Sequence, residues 1–173
     1  MATPSHLAFR VQLVIPEQRD LYDYWLGRAR GRTMPARGDI RPSDFPRLLP
    51  SISLVDVCRE DGRFRVRLAG TGLREVYEGE ITGSYLDELD WGDKRDYWLA
   101  AYQRVVDDGR PAQGIVRAPC QNQDHLVQFW LRLPLASEAN SVSMILCYDV
   151  FIPAIKVPEM MSHDAALPLA NHA

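Results

Sequence analysis

The stretch that most constrains the fold is Ile52–Thr71, which reads ISLVDVCREDGRFRVRLAGT. Its first part is apolar and rich in β-branched residues, and an Asp-Gly dipeptide at 61–62 marks a tight turn. In the second part, Phe64, Val66 and Leu68 alternate with arginines. We therefore predict a β-hairpin with one buried face and one face exposed to water.

The segments after the hairpin predict two helices and three strands, the mixture expected for an α+β fold. A short helix is predicted at Leu73–Glu78, and a long helix runs from Trp91 to Asp107, before Gly109 and Pro111. Three predicted strands then follow: Gln113–Ala118, Leu126–Leu133 and Val142–Val150. Hairpins at both ends predict a five-stranded antiparallel sheet with the helices on one face.

The N-terminal part carries an amphipathic helix. Pro16 suits the first helical turn, and Leu21 and Trp25 recur at helical spacing up to Arg30. We divide the chain into an extended N-terminal arm (1–15), this helix with a proline-rich connector (16–50), the sheet core (51–152) and a loose C-terminal tail (153–173).

The last two strands predict an apolar surface that needs a cover. The odd positions of Leu126–Leu133 are uniformly apolar and are assigned to the core, but Leu126 and Trp130 lie on the opposite face, as does Ile145 of the last strand. The helix Pro16–Arg30, from this chain or from a second copy, would cover them. The candidate interface residues are Leu21, Trp25, Leu126, Trp130 and Ile145, and we expect a homodimer.

Composition excludes several classes of partner. The net charge is -3 with both signs interspersed, so neither nucleic acid nor a membrane surface is expected. No apolar run approaches the ~20 residues of a membrane helix. Cys58, Cys120 and Cys147 form no Cys-x-x-Cys motif, and the chain begins without a secretory pattern, so we expect a cytoplasmic protein.

The order of elements resembles the PAS arrangement: two strands, short helices, one long helix and three strands. The runs YWLGRARGRTMPARGDIRPSDFPRLLPSISLVDV and RFRVRLAGTGLREVYEGEITGSYLDEL resemble proteobacterial stand-alone PAS-like proteins formerly classed as a domain of unknown function. The resemblance spans Leu21–Val150. It implies a small sensory or signalling domain, since some relatives are tied to motility or cell-cycle control.

The resemblance also raises the question of a cofactor, because members of the wider PAS class hold haem, flavin or small metabolites. Haem-binding relatives supply a histidine from the long helix, which here has none, and the photoreceptors' Asn-Cys-Arg-Phe-Leu-Gln run is absent. Haem and flavin are therefore not expected. Asp124 and His125 near Cys120 are more typical of a solvent-facing turn than of a metal site, so no metal is expected.

A cavity between the sheet and the long helix is the predicted ligand site. Its walls are mostly apolar with phenolic hydroxyls, which suits a small planar or acyl molecule, although the same residues would also serve simply to fill a core. Arg65 and Arg67 are predicted to face away from it and to pair with carboxylates or a partner. The candidate residues are Val66, Leu68, Tyr77, Tyr85, Trp98, Tyr102, Phe129 and Leu131.

Three functions remain open. The first is a signalling regulator that acts by dimerising or by contacting a protein partner, through the N-terminal helix and the outer sheet face, with or without gating by a small ligand. The second is a sensor of an unidentified apolar or aromatic molecule. The third, a small enzyme using Asp56, Tyr102 and His125, lacks any pattern that places these residues together. We therefore predict no catalytic residues and no enzyme activity.

Overall fold

The structure, a computed structural model, describes residues 4–118, 125–137 and 140–164. In the described residues the helices are α1 (Pro4–Val11), α2 (Pro16–Ala29), α3 (Thr71–Val76), α4 (Arg95–Asp108) and α5 (Val157–Asp164), and the strands are β1 (Ile52–Cys58), β2 (Arg63–Ala69), β3 (Ala112–Arg117), β4 (Leu126–Ala136) and β5 (Val142–Pro153).

The strands form one antiparallel sheet of five strands in the order β2-β1-β5-β4-β3. The predicted α+β fold and sheet are therefore confirmed. Residues directly opposite each other in such a sheet share a face. Arg132 lies opposite Cys147, and Trp130 lies opposite Asp149. We call the face that carries these four side chains the inner face, and the opposite one the outer face.

Helix α4 covers the inner face. Trp98, Tyr102 and Val105 are buried and recur at the three- and four-residue spacing that puts them on one side of a helix. The Trp98 ring meets the Trp130 ring of β4, with centroids 5.6 Å apart. Gly109 ends the helix in the left-handed conformation, at φ 60°, and its N–H donates to the Val105 carbonyl.

Helices α1 and α2 cover the outer face. Trp25 of α2 is fully buried and its Nε1 donates to the Pro134 carbonyl over 2.9 Å. Gln12, just after α1, accepts a bond from Gln113 on the outer face of β3 at 3.3 Å. The helix that was predicted to cover a sheet face from this chain or from a second copy therefore docks within its own chain.

The predicted extended arm at residues 1–15 is wrong, because Pro4–Val11 is helical. The helix is held by contacts with α2: His6 Nδ1 and the Tyr22 hydroxyl are 2.9 Å apart, and the Phe9 and Tyr22 ring centroids are separated by 5.0 Å. The predicted loose tail at 153–173 is also wrong in part, since Val157–Asp164 forms α5. Residues 165–173 lie outside the described residues.

The assignment of the two sheet faces must be reversed. Trp130 and Ile145, predicted to be outer interface residues, lie on the inner face, and Leu126 follows the same alternation at the start of β4. Phe129 and Leu131, predicted cavity walls, lie on the outer face. The alternation of apolar residues could not distinguish the faces because both of them are buried along β4.

Candidate inner-face polar network

A buried ion pair lies at the centre of the inner face. Arg132 on β4 and Asp149 on β5 are 2% and 5% exposed, and Arg132 donates from Nη2 to Asp149 Oδ1 over 2.9 Å. Gln128, also buried, donates from Nε2 to the same oxygen over 2.7 Å. A second guanidinium nitrogen of Arg132 donates to the carbonyl oxygens of Leu131 and Tyr148. We call Gln128, Arg132 and Asp149 the polar network.

Aromatic rings enclose this network. The Arg132 guanidinium carbon lies 5.2 Å from the Trp98 ring centroid and 5.0 Å from that of Tyr102, both on α4, so the cation faces electron-rich rings. The Tyr102 hydroxyl lies 3.5 Å from Cys147 Sγ. Through these contacts the position of α4 depends on where the Arg132 guanidinium and the Cys147 thiol lie on the sheet beneath it.

The pKa values of these groups reflect burial. Burial raises the pKa of Tyr102 well above its ordinary value and also raises the pKa of Cys147, so both groups are uncharged at neutral pH. For Arg132, burial by itself would lower the pKa, but the combined effect of Asp149, Tyr102 and Cys147 outweighs burial and the pKa is raised. The guanidinium is therefore a permanent cation, and it depends on a single buried carboxylate.

Several polar atoms around the network have no hydrogen-bond partner within the described part of the chain. They include the donors Arg132 Nε and Trp98 Nε1 and the acceptor Gln128 Oε1. The Gln128 amide cannot simply be turned around, because its Nε2 already donates to a carboxylate oxygen that an amide oxygen would repel. Buried polar atoms are almost always paired, so these two donors and one acceptor stand out as open hydrogen-bonding positions around the network.

Two spaces adjoin the network. The first is a small cavity of about 20 Å³ whose walls include Ser53, Tyr77, Tyr102, Arg132 and Asp149. That volume holds about one water molecule, so the cavity as it stands has no room for a haem or a flavin.

The second space, which we call the corner pocket, lies where α3 meets the starts of β1 and β4 and the far end of β5. Its volume is about 350 Å³, within the range of small-ligand sites. Asp149 lines both spaces and therefore stands between them. The described lining residues are Ser51, Gly72, Glu75, Val76, Leu126, Asp149, Val150 and Phe151.

Half of the predicted cavity residues lie near this network. Val66, Tyr77 and Tyr102 line the small cavity, and Trp98 covers Arg132. Leu68 does not, because a β-bulge in the hairpin reverses the alternation of β2 after Val66 and leaves Leu68 48% exposed.

Tyr85 does not line the small cavity either. Its ring lies under the Arg63 guanidinium, with 3.6 Å from the guanidinium carbon to the ring centroid. Phe129 and Leu131 belong to the outer face, as described above. The candidate ligand site is therefore smaller and more polar than the sequence pattern predicted.

The polar network itself was missed, although the sequence contains a signal for it. Gln128 and Arg132 occupy the even positions of β4, alternating with Leu126 and Trp130 along the same face. In the structure they share a face with Asp149 of the neighbouring strand. A cation and a carboxylate on the same face of paired apolar strands could have indicated a buried pair.

The structure does not bring the three enzyme candidates together. Asp56 accepts from Arg65 and Arg67, at 3.3 Å each, on the outer side of the hairpin, which confirms that these arginines face away from the core. Tyr102 lies on the inner face and His125 is exposed in the turn before β4. Over the described ranges there is no group of three possible metal ligands; Cys120 and Asp124 lie outside them.

None of the helices in the described residues is both long and apolar enough to cross a membrane.

Three solved structures with the same fold share 7–12% identity with this chain, which shows the fold alone. A light-oxygen-voltage domain studied with a flavin analogue matches 71% of this chain and 92% of its own, with a TM-score of 0.53. VqmA bound to DPO matches 64% of this chain, and an RNA-binding light-oxygen-voltage receptor matches 94%, each with a TM-score of 0.51. This chain spans only 56% and 57% of those two proteins.

No curated protein matches the sequence. Among protein families, the PAS domain matches residues 14–148, which is most of the chain and includes α2, the connector and nearly the whole sheet. PAS domains are typically sensory rather than catalytic. The chain therefore belongs to the PAS domain family and is a sensory domain.

Proposed function

We propose that this PAS domain is a small-ligand-responsive signalling regulator, in which the polar network senses the ligand and the N-terminal helices carry the output. The observation that supports the proposal most is the set of unpartnered atoms on Arg132, Gln128 and Trp98, at a network whose Asp149 lines both adjoining spaces. A ligand that satisfies these atoms changes the energy of a network on which α4 rests.

A continuous set of contacts leads from the corner pocket to α2. Ser51 lines the pocket and ends the short 3₁₀ helix Pro46–Ser51, which lies against α3. Gly70 permits this approach, because a side chain there would overlap the carbonyl groups of Leu49 and Pro50. A change of shape at the pocket therefore moves the connector directly.

The connector is in turn bound to α2. Tyr24 donates from its hydroxyl to Asp44 over 2.8 Å and packs edge-on against Phe45, and Arg28 forms an ion pair with Asp44. On the outer face, burial and then the charge of Glu17 on α2 raise the pKa of Tyr148 to about 12, while a hydrogen bond with Ser51 lowers it. Ser51 is thus linked to α2 both through the connector and through Tyr148, which faces Glu17 of α2.

The output surface is the exposed side of α1, through which two copies associate. Leu7 and Val11 are 55% and 77% exposed and lie four residues apart, so they share one side of the helix. This surface replaces Leu21, Trp25, Leu126, Trp130 and Ile145 as the candidate interface, because four of these are buried and Leu126 lines the corner pocket. A protein signalling partner would compete for the same side of α1.

An interaction module without a ligand is the second candidate. The observation that favours it is the volume of the small cavity, about 20 Å³, which has room for about one water molecule. In that case the polar network has a structural role, and α1 alone carries the function.

Native mass spectrometry of the protein purified from its own host distinguishes the two candidates. A dimer with an added small-molecule mass supports the ligand-responsive regulator, and a dimer at the bare mass of the chain supports the interaction module. The paired variant Leu7→Ser/Val11→Ser should give a monomer, and Ile155→Ser, at a residue that is 84% exposed near the other end of the chain, serves as the control. A dimer that persists in the paired variant would contradict the α1 interface.

A further inference from the structure

The two edge strands of the sheet differ in what lies beside them. The edge of β2 is covered by a loop, because the Val66 N–H donates to the Ser84 carbonyl over 2.9 Å and the Gly83 N–H donates to the Val66 carbonyl over 2.7 Å. At the opposite edge β3 pairs with β4, and no other main-chain group among the described residues bonds to it. Over the described part of the chain, β3 therefore presents a free edge to which a further strand can add.

The side chains of β3 favour the same strand of a second copy as that addition. Opposed residues in an antiparallel pair share a face, so a two-fold axis between two β3 strands must set one residue against its own counterpart. Ile115 lies near the middle of β3 on the outer face and is 47% exposed. When Ile115 is the residue on the axis, each isoleucine covers the exposed apolar surface of the other.

The same register keeps the positive charges apart. It sets Arg117 of one copy against Gln113 of the other, and Gly114 against Val116, so the arginine of β3 faces an amide and not a second arginine. From the free edge, the exposed isoleucine and this self-complementary register, we infer that two copies pair β3 with β3 in antiparallel orientation about Ile115. The pairing joins the two sheets into one continuous sheet.

This inference rests on the proposed function, because it extends the interface through which two copies associate. Gln12 directly follows α1 and accepts from Gln113 of β3 at 3.3 Å, so the end of α1 lies beside β3 on the outer face. Val11, which precedes Gln12, is 77% exposed. The exposed side of α1 and the free edge of β3 therefore adjoin each other and form one interface.

The polar network reaches this edge through the Trp130 ring. Gly114 has no side chain, and a Cβ there would lie 2.6 Å from Trp130, so the main chain of β3 rests directly on the ring. The Arg132 guanidinium carbon lies 5.5 Å from the centroid of the same ring, and Trp130 Nε1 donates to the Tyr97 hydroxyl over 3.0 Å. A shift of Arg132 is thereby transmitted through Trp130 to the strand that pairs in the dimer.

Sedimentation velocity of the full chain tests the inference with two charge variants. In Ile115→Lys and in Ile115→Glu the register sets like charges against each other, so each variant should dimerise at least about tenfold more weakly than the unmodified protein. An equimolar mixture of the two variants should recover the dimer, because it sets a lysine against a glutamate. The control is Leu68→Lys on the other edge strand, β2: Leu68 is 48% exposed, like Ile115, and its variant should dimerise as the unmodified protein does.

Unweakened dimers of the Ile115 variants, a mixture that stays monomeric, or an equal loss in Leu68→Lys would overturn the β3 pairing. Recovery in the mixture also demonstrates that both variants are folded. A dimer that is lost in Leu7→Ser/Val11→Ser but kept in the Ile115 variants overturns the β3 pairing alone. An unmodified protein that is monomeric at every concentration overturns the two-copy output of the proposed function as well, and a strand of a different protein would then be the occupant of the edge.

Discussion

Replacing Asp149 with asparagine tests whether the buried ion pair holds the inner face together. In the unmodified protein its Oδ1 accepts from Arg132 and Gln128, and the two charged side chains are 2% and 5% exposed. Asparagine keeps the shape and one acceptor but removes the negative charge. The Arg132 guanidinium is then buried without a counter-charge.

The expected loss follows from the burial. Removing one partner of a buried ion pair lowers the free energy of unfolding by about 3–5 kcal/mol. Because asparagine retains one acceptor, we expect a loss of about 3 kcal/mol for Asp149→Asn. For a domain of this size that corresponds to a fall in Tm of roughly 6–12 °C. Arg132→Met in the same chain removes the unpaired charge, so the double variant should recover about 2 kcal/mol or more of the loss.

Urea unfolding, followed by circular dichroism and by tryptophan fluorescence, measures these free energies. The control is Asp108→Asn, which breaks the exposed pair of Arg104 and Asp108 on α4, at 3.5 Å and with side chains 78% and 53% exposed. It should change the free energy of unfolding by no more than about 0.5 kcal/mol. A loss for Asp149→Asn no larger than that of the control, or a double variant no more stable than the single one, would refute the reasoning.

Three further predictions concern packing and titration. Trp25→Ala should destabilise the protein by about 3–5 kcal/mol in urea unfolding, because the ring is fully buried under α2; an unchanged stability would show that α2 is not docked. Gly114→Ala should lower the free energy of unfolding by about 1–3 kcal/mol, since the new Cβ would lie 2.6 Å from the Trp130 ring. Gly27→Ala, on the open side of α2, should raise it by up to about 1 kcal/mol. The reverse order would contradict the packing of β3 on Trp130. Burial raises the pKa of Tyr148 to about 12 from its ordinary value of about 10, so its contribution to stability is complete below pH 10 and is lost as the pH rises toward 12. Absorbance at 295 nm should show the phenolate of Tyr148 forming only near pH 12. Ionisation of every tyrosine near pH 10 would contradict this prediction.

The sheet was predictable because its signals are local. The Asp-Gly turn and the alternation around Phe64 and Val66 defined the first hairpin, and β1 begins at Ile52 as predicted. The Gly109-Pro111 stop defined the end of α4. Each of these features depends on residues close in sequence, which a single chain reveals without any alignment.

The assignment of faces was not predictable, because it depends on contacts between distant elements. Phe129 and Trp130 are both buried, Phe129 on the outer face and Trp130 beneath α4. Neither the alternation of the strand nor the hydrophobicity of the residues distinguishes the two faces. Helix α1 was missed for a related reason. Phe9 and His6 meet Tyr22 of the next helix, and this tertiary contact overrides the weak strand-like pattern.

The candidate site was predicted only in its aromatic part. Trp98 and Tyr102 followed from the helical spacing of α4. Arg132 did not, since a charged residue in a strand normally indicates the solvent-facing side. Its burial requires Asp149, 17 residues away on the neighbouring strand, and that pairing becomes visible only when the register of β4 against β5 is known.

Amide hydrogen exchange of Asp149→Asn tests most directly whether the polar network communicates with the N-terminal helices. Asp149 lies on the inner face and α2 on the outer, so direct contact cannot explain a change there. Amides of α2 and of the Pro46–Ser51 segment should lose more protection in Asp149→Asn than in the destabilised control Gly114→Ala, once each loss is compared with that variant's own measured change in the free energy of unfolding. Changes confined to β4, β5 and α3, with α2 exchanging alike in both variants, would contradict it.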